Sequence, residues 1–588
     1  MAENKTFMKH CKLIVLLCLL PALVWAQDTV IVVGGIQHEG LFPTDMSEVP
    51  QQPDWAKITH LSNTYLDLGV RWERNQEDQM FRGLEVVTRA ELTEWPMLGF
   101  QDDGNNFAGH GIGHLHVGAN FSGGKITIGD VYGQFGSGMV LRLYEDRALG
   151  VDNALRGGKI EATPYKGIYI EALGGKQRRY WNCYEDGAWG WNYKQDAVLG
   201  ANLELGLHEW IPELQEAGAN LTIGGSYVSK YQKKDTINTI FHNVIQPEGK
   251  YDYYYNLPTW VGAGSVRAQL QMKGWNALLE YAYKANDPTK INAIADNNFT
   301  SGFKPNYNPG QALLMSLSYS QKGLAIIAQA KRSENMSFRS NPFASITDRS
   351  GTINHMPPFA NQHTYMLTSL YPYATETTAS EWAFQGEVRY TWKRGTKMGG
   401  RYGTMLKLNA SHIRGTTDTW FGMSEAPYYT DVNLELNKKI NKQWYIGAMA
   451  MYQTYNKNYV KEKIDGTLLR AGIGVIEVKY ALNKNIQMRA ELQYLYTKQD
   501  KGQWMAALYE LSLWRQLVIS GQWMYNIGYG KETAEDRHYY TFAATYTHGA
   551  HRVMAGYTKT REGFNCSGGI CRYVPKQEGI SLTYNFTW

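Results

Sequence analysis

A glycine-rich stretch followed by closely spaced charges lies within residues 132–158. The glycines of "GQFGSG" permit tight turns with positive φ, and Arg142, Glu145, Asp146 and Arg147 follow them. Charged side chains at a narrow passage select solutes by size and field, but the same charges can also brace a loop against its surroundings. Both roles stay open, and one element can serve both. A phosphate-binding loop is not predicted, because no Gly-Lys-Ser/Thr ending follows the glycines.

Two cysteines near the C-terminus, Cys566 and Cys571, are separated by a short segment that contains two glycines. In an oxidising compartment this spacing suits a closed disulfide loop. A metal pair is the alternative, but thiolate sites usually need four ligands from repeated cysteine pairs. We therefore predict a Cys566–Cys571 disulfide, which leaves Cys183 unpaired in an external loop.

Three histidines, His110, His114 and His116, occur in "GHGIGHLHV". His114 and His116 are two residues apart and therefore share one face of a strand. Metal binding is one interpretation, but no carboxylate stands at a clear ligand spacing, so we favour ordinary polar residues of a water-facing surface. The sequence contains no recognisable catalytic triad, carboxylate pair or cofactor motif, so we expect no enzyme and no cofactor.

Period-two alternation provides the framework for these residues. In "IQMRAELQYLY", Ile486, Met488, Ala490 and Leu492 occupy one face, and charged or amide side chains occupy the other. Soluble β-sandwiches alternate in the same way, so the connections discriminate better. Read backward from the C-terminus, long and short connections alternate, which is typical of a transmembrane β-barrel with long extracellular loops and short periplasmic turns.

The chain ends on the two-faced segment "GISLTYNFTW". Because lipid cannot satisfy unpaired backbone groups, a membrane-spanning sheet must close on itself, and the last strand should pair with the first. We predict an all-β fold, a single closed antiparallel barrel of about 24 strands, within the range of roughly 22–26, over residues 27–588. The terminal Trp588 resembles the C-terminal signature that the barrel-assembly machinery of bacteria reads.

The N-terminus is predicted to be a signal peptide over residues 1–26. Lys5, Lys9 and Lys12 precede the apolar run "LIVLLCLLPALVWA", and Ala26 offers a small residue before the cleavage point. No later apolar run reaches the roughly 18 residues that suggest a helical span. The remaining chain is close to neutral, which gives no indication of nucleic-acid binding. We therefore expect export to a Gram-negative outer membrane.

Two segments carry a family resemblance: "GKITIGDVYGQFGSGMVLRLYEDRALGVDNALRGGKI", residues 124–160, and "CSGGICRYVP" near the C-terminus. Both resemble a family of outer-membrane barrels from Bacteroidota that carries a label of unknown function. The resemblance implies the fold and the compartment. It implies no substrate, reaction or catalytic residue.

The predicted size of the barrel bears on its function. An open lumen of this width would leak, and barrels of about 22 strands carry plugs. The first strand follows the predicted signal peptide closely, so we expect external loops rather than a plug domain to close the lumen, and a TonB-dependent transporter is not expected. Two functions follow as predictions. One is a porin-like channel for small polar solutes, with residues 132–158 as a lumen-folded constriction loop.

The alternative is a loop-sealed structural or partner-binding barrel in an outer-membrane complex, which the very long connection 333–381 favours. The partners predicted for either function are outer-membrane lipid, the barrel-assembly machinery through the strand ending at Trp588, and other envelope proteins.

Overall fold

The computed structural model describes most of the chain. The described residues are 28–45, 60–74, 80–93, 95–100, 109–178, 197–232, 238–246, 249–256, 258–287, 294–295, 303–304, 309–340, 351–373, 380–457, 468–528, 537–567 and 570–588. The predicted signal peptide and Cys183 lie outside these residues.

One sheet of 24 strands forms the body of the molecule. In chain order the strands are Thr29–Asp45, Leu61–Glu73, Phe81–Thr93, Gly109–Phe121, Gly124–Val131, Leu155–Tyr165, Ile168–Gln177, Ala197–Gly206, Ala219–Tyr231, Trp260–Met272, Trp275–Lys284, Gly310–Gln321, Leu324–Glu334, Ser380–Trp392, Thr404–Thr416, Met423–Lys439, Trp444–Asn456, Leu468–Ala481, Ile486–Tyr496, Trp504–Leu513, Leu517–Asn526, His538–His548, His551–Thr560 and Gln577–Thr587.

The sheet is closed, as predicted. Each strand pairs antiparallel with the next along the chain, and the last pairs with the first. Gly35 lies opposite Thr587 and Phe42 lies opposite Ile580 in this closing pair. Closure leaves no unpaired sheet edge, which is the condition for a sheet to span a bilayer.

The two ends of the barrel differ in their connections. At one end, here called the short-turn end, two-residue turns such as 166–167, 273–274 and 322–323 join neighbouring strands, and the first strand begins there. The opposite end, here called the long-loop end, carries the long connections, including 132–154 and 335–379. This alternation is the one that the sequence predicts.

Short ribbons and helices lie at the two ends of the barrel. Two-stranded ribbons at the long-loop end pair Gly133–Gln134 with Arg142–Leu143, Glu145–Asp146 with Val151–Asp152, Asn238–Gln246 with Gly249–Asn256, Ile294–Ala295 with Phe303–Lys304, and Gly563–Ser567 with Ile570–Val574. At the short-turn end, the 3-10 helix Leu207–Glu209 precedes the α-helix Pro212–Ala217. Within the described residues, no helix is long and apolar enough to cross a membrane.

The two faces of the wall follow the alternation of each strand. In Leu468–Ala481, Ile473 and Val475 point into the barrel and are buried, whereas Ile476 points outward and is 58% exposed. Ile128 and Leu492, on other strands, are 67% and 66% exposed. Large apolar side chains on the outside of a closed barrel are placed to contact lipid.

The largest apolar core lies inside the barrel at the long-loop end. Two connections fold into the lumen there: residues 132–154, here called the first internal segment, and residues 335–373, the second internal segment. Residues 341–350 of the latter lie outside the described part. Phe135, Phe338 and Leu367 of these segments are almost fully buried and belong to one cluster with wall residues. The two segments therefore pack against the inner face of the wall, and closure of the lumen by loops stays a prediction.

Candidate functional site in the barrel lumen

The first internal segment approaches the wall closely at two glycines, one in the segment and one in the wall. Gly136 has φ +54, a conformation that glycine adopts without strain, and the next residue, Ser137, donates its backbone N–H to the buried carboxylate of Glu280 at 2.9 Å. The ring of Phe135 lies against Gly200 of the wall, where an added Cβ would come within 2.8 Å of it. The segment therefore fits a notch in the wall that only a small residue leaves open.

A buried ionic cluster joins the first internal segment to the wall. Arg89 of the wall contacts Asp152 at 2.6 Å, Glu145 at 2.6 Å and its neighbour Glu91 at 2.8 Å. Arg178 contacts Glu91 at 2.6 Å and also binds Asp152. The side chains of both arginines, Glu91 and Asp152 are less than 5% exposed. Removing one member of such a cluster leaves uncompensated buried charge.

The arginines also set the ionisation of the loop carboxylates. Burial opposes ionisation of Asp152, but Arg178 and Arg89 outweigh it and hold the pKa of Asp152 below its usual value. Burial raises the pKa of Glu145, and the nearby Asp152 adds to the rise despite the attraction of Arg89 and Arg147. The pKa values of the two carboxylates in this cluster therefore shift in opposite directions.

The four charges predicted from the sequence have different surroundings. Glu145 and Arg147 contact each other at 2.6 Å, and Arg147 also reaches Asp67 of the wall at 2.9 Å. Asp146 accepts the backbone N–H of Leu149 within the segment at 3.0 Å. Glu145 and Arg147 are thus engaged with the wall, which is the arrangement of a brace.

Arg142, the fourth of these charges, lies 4.3 Å from the centre of the Tyr144 ring. It therefore packs on its own segment rather than on a wall carboxylate. A role of the four charges in selecting solutes stays a prediction.

The two internal segments pack as one body. The backbone N–H of Arg142 donates to the carbonyl of Ile353 at 2.8 Å, and that of His355 donates to Gly138 at 2.9 Å. The side-chain amide of Asn354 donates to the carbonyl of Met139 at 2.8 Å. Because these bonds involve main-chain groups of both segments, displacing one segment would disturb the other.

Three fully buried wall lysines hold the second internal segment. Each lies at or next to the long-loop end of its strand, and each donates its ammonium group to a main-chain carbonyl of the segment. Such charge-assisted bonds are stronger than bonds between neutral groups. The pairs are Lys230 to Arg339 O at 2.6 Å, Lys284 to Ser337 O at 2.8 Å and Lys331 to Pro357 O at 2.7 Å.

Buried carboxylates compensate these ammonium groups. Asp287 lies 2.8 Å from the Nζ atom of Lys230 and 3.7 Å from that of Lys284. Glu381 lies 2.5 Å from the Nζ atom of Lys331. Two carboxylates therefore compensate part of the charge of the three lysines, and the remaining donor capacity of each lysine is directed at the backbone of the segment.

The far part of the second internal segment reaches the opposite wall. His363 binds the buried carboxylate of Asp431, and Gln493 accepts the backbone N–H of Leu367 at 2.8 Å. The hydroxyl of Tyr371 donates to Asp500 at 2.9 Å. The segment thus spans the lumen.

Below the internal segments, towards the short-turn end, the lumen is lined by paired charges. Arg489 contacts Glu477 at 2.5 Å, Glu491 at 2.8 Å and Glu510 at 2.9 Å. On another part of the wall, similar pairs join Lys125 with Glu85, Lys159 with Glu171 at 3.0 Å, and Arg267 with Glu204 at 2.6 Å. This half of the barrel therefore presents a polar, charged inner surface.

The three predicted histidines lie on the strand Gly109–Phe121. The rings of His114 and His116 share a hydrogen bond of 2.8 Å, and His116 lies 3.3 Å from the Glu85 carboxylate. Among the residues that the structure describes, no group of three or more His, Cys, Asp or Glu side chains is placed to hold a metal ion.

Cys566 and Cys571 lie opposite each other in the ribbon near the C-terminus. Their side chains lie outside the described part, so the disulfide stays a prediction.

These features define a class of protein: a closed barrel with an apolar outer face and a polar, charged inner surface has the architecture of an outer-membrane β-barrel. The model of a family of unknown function, DUF6029, matches residues 8–588. The chain therefore belongs to this family. Its Bacteroidota origin stays a prediction, and a search of curated proteins found no match.

Several solved barrels are similar in overall structure at low identity. The siderophore receptor PirA from Pseudomonas aeruginosa is 9% identical, with 95% of this chain and 80% of that chain covered and a TM-score of 0.39. The copper transporter OprC is 11% identical, with coverages of 96% and 82% and a TM-score of 0.39. OccAB2 from Acinetobacter baumannii is 9% identical, with coverages of 95% and 98% and a TM-score of 0.34. Similarity at this level transfers no ligand or activity to this chain.

Proposed function

We propose that this protein is an outer-membrane passage for small polar solutes that is closed at rest. In this proposal the two internal segments are the gate, and solutes cross when the segments move away from the wall. The polar, ion-paired surface of the lower lumen supports the proposal, because it can carry water and polar solutes up to the internal segments.

The observation that carries the proposal is how the second internal segment is attached. Its described part is bound to the wall through side-chain hydrogen bonds, chiefly those of Lys230, Lys284 and Lys331. Such bonds can be exchanged for bonds to water without breaking the ladder that holds the barrel together. A gate needs this property, because the wall must stay intact while the segment moves.

Single-channel recording in planar bilayers tests the proposal. The wild-type protein should be closed for most of the time, and the double variant Lys284→Met/Lys331→Met should open more often because the segment loses two of its anchors. The matched control is Lys273→Met/Lys322→Met, which removes two exposed lysines from short turns and should behave as the wild type does. A folded anchor variant that stays silent in the bilayer would rule out the gate.

One observation favours the alternative, a sealed barrel that binds a partner. Phe135, Leu141 and Phe338 of the internal segments are at most 1% exposed and share a continuous apolar core with the wall. Opening this core to water would cost free energy in proportion to the apolar area exposed. If the wild type and every anchor variant are silent, and an envelope protein co-purifies from native membranes, the sealed barrel is the better description.

A further inference from the structure

The short-turn end carries an arc of positive charge that the proposed function does not use. Six consecutive connections at this end, 273–274, 322–323, 393–403, 440–443, 482–485 and 514–516, contain lysine or arginine but no acidic residue. Their basic residues are Lys273, Lys322, Lys393, Arg394, Lys397, Arg401, Lys442, Lys484 and Arg515, and all of these are exposed. The arc covers about half of the circumference, from the strand Trp260–Met272 to the strand Leu517–Asn526.

One other connection at this end has the opposite charge. The connection 207–218, which contains the helix Pro212–Ala217, carries Glu209, Glu213 and Glu216 and no lysine or arginine. Lys166 in the neighbouring turn is paired with Glu209 at 2.7 Å. Among the described short turns, the positive charge is therefore concentrated in this arc.

Exposed aromatic side chains place this arc at the level of lipid headgroups. Trp275, Trp444 and Trp514 lie one or two residues from basic residues of the arc and are 46%, 42% and 65% exposed. Tryptophan on the outer face of a membrane protein collects at the boundary between hydrocarbon and headgroups. The cations beside these rings are therefore within reach of lipid phosphates.

The spacing of the charges favours a row of lipids, rather than a compact protein surface, as the ligand of the arc. Neighbouring short turns are two strands apart, which corresponds to about 10 Å along the wall, and each of the six connections contributes at least one cation. Most of these turns contain two to four residues, so they do not project far from the wall. A row of single charges that follows the wall matches a row of separate headgroups.

We propose that this arc binds anionic phospholipids and gathers them along half of the barrel at the short-turn end. The ligand is the phosphate of a negatively charged lipid headgroup, held by lysine and arginine beside the interfacial tryptophans. The consequence is a lipid shell of uneven composition, in which the side with the acidic helix shows no such preference. This proposal is independent of whether the lumen opens.

Quenching of tryptophan fluorescence by brominated lipids tests the proposal, since tryptophans lie beside the arc. The protein is reconstituted with brominated phosphatidylglycerol or brominated phosphatidylcholine in competition with the same unbrominated lipid. We expect the wild type to bind the anionic lipid at least about threefold more strongly. The preference should fall towards unity at high salt, because salt screens exposed charges.

The test variant replaces five turn cations: Lys273→Gln/Lys322→Gln/Lys442→Gln/Lys484→Gln/Arg515→Gln. Its preference for the anionic lipid should fall markedly, because only the four cations of 393–403 remain. The control Arg470→Gln/Lys498→Gln removes two exposed cations at the long-loop end and should retain the preference. Altered migration of unheated samples in SDS gels identifies folded barrels, and only folded samples are compared.

Two results overturn the proposal: a wild type without preference for the anionic lipid, or an unchanged preference in the five-residue variant. Binding of polyglutamate to the wild type in phosphatidylcholine discs is measured in parallel. If polyglutamate binding depends on the arc while the lipid preference is absent, the arc is a surface for an acidic protein instead.

Discussion

The two internal segments are attached to the barrel in different ways. The first, residues 132–154, is joined to the wall by carboxylates that meet buried arginines, as in the contact of Asp152 with Arg89 at 2.6 Å. The second, residues 335–373, is held mainly by its backbone, as in the bond from Lys331 to Pro357 O at 2.7 Å. The attachment of the first segment therefore depends on side chains of both the segment and the wall. The attachment of the second segment depends on side chains of the wall and on the backbone conformation of the segment.

This difference has a consequence for motion. A buried ion pair separates only if both charges find new partners or reach water. Partial separation is unfavourable, because it leaves both charges buried without compensation. A carbonyl that leaves a lysine can bond to water, and the lysine keeps a nearby carboxylate partner. We therefore expect the second internal segment to leave the wall more readily than the first.

The substitution Arg89→Met should have the largest effect, since it breaks the attachment of the first segment. Glu91 and Asp152 would keep only Arg178, so a buried negative charge would lack compensation. We expect a loss of about 3–5 kcal/mol in the free energy of unfolding, measured by denaturant titration in lipid vesicles. Arg89→Lys is the control: it keeps the charge but not the forked geometry and should lose less. A loss below about 1 kcal/mol in Arg89→Met would contradict a structural role of the cluster.

The closed barrel could be predicted from the sequence, but most of the ionic cluster could not. Strand alternation and connection length are local patterns, so the barrel of about 24 strands and its closure followed from them, and the count is confirmed. The charges of the first segment were recognisable because they crowd together between glycines. Their partners were not, since Arg89 precedes Asp152 by 63 positions and Arg178 follows Glu91 by 87.

The wall lysines were overlooked for a related reason. Lys230, Lys284 and Lys331 occupy inward positions of alternating strands, where any polar residue satisfies the pattern of a water-facing lumen. Their role depends on a distant connection that folds back into the barrel. The length of the connection 333–381 was a signal that it has a function, but length alone does not say where a loop lies.

The substitution Lys331→Met tests the attachment of the second internal segment, and its effect should be local. It removes the donor to the Pro357 carbonyl and leaves Glu381 without its ammonium partner. We expect a loss of about 3 kcal/mol, seen as faster amide hydrogen exchange in residues 351–373 with little change in the strands. Lys322→Met in an exposed turn is the control. Equal acceleration over the whole barrel would show that the second segment is no more mobile than the first.

The substitution Gly200→Ala tests the notch that receives the first segment. The new Cβ would lie 2.8 Å from the Phe135 ring, so the ring must shift, and overpacking of this kind costs about 1–3 kcal/mol. Phe135→Leu alone should also destabilise, but the double variant should recover part of the loss because the smaller side chain leaves room. Strict additivity of the two losses in denaturant titrations would mean that the residues do not interact.

The substitution Arg142→Ala should have the smallest effect and separates a brace from a selectivity element. Arg142 stacks on Tyr144 of its own segment, both are half-buried, and a stack of this kind contributes on the order of 1 kcal/mol. Arg147→Ala should cost more, because Arg147 joins the segment to Asp67 of the wall. If the passage opens and Arg142→Ala changes its ion selectivity without changing stability, this arginine selects solutes. If Arg147→Ala lowers stability and leaves selectivity unchanged, Arg147 is a brace, and the charges of one loop then divide between the two roles.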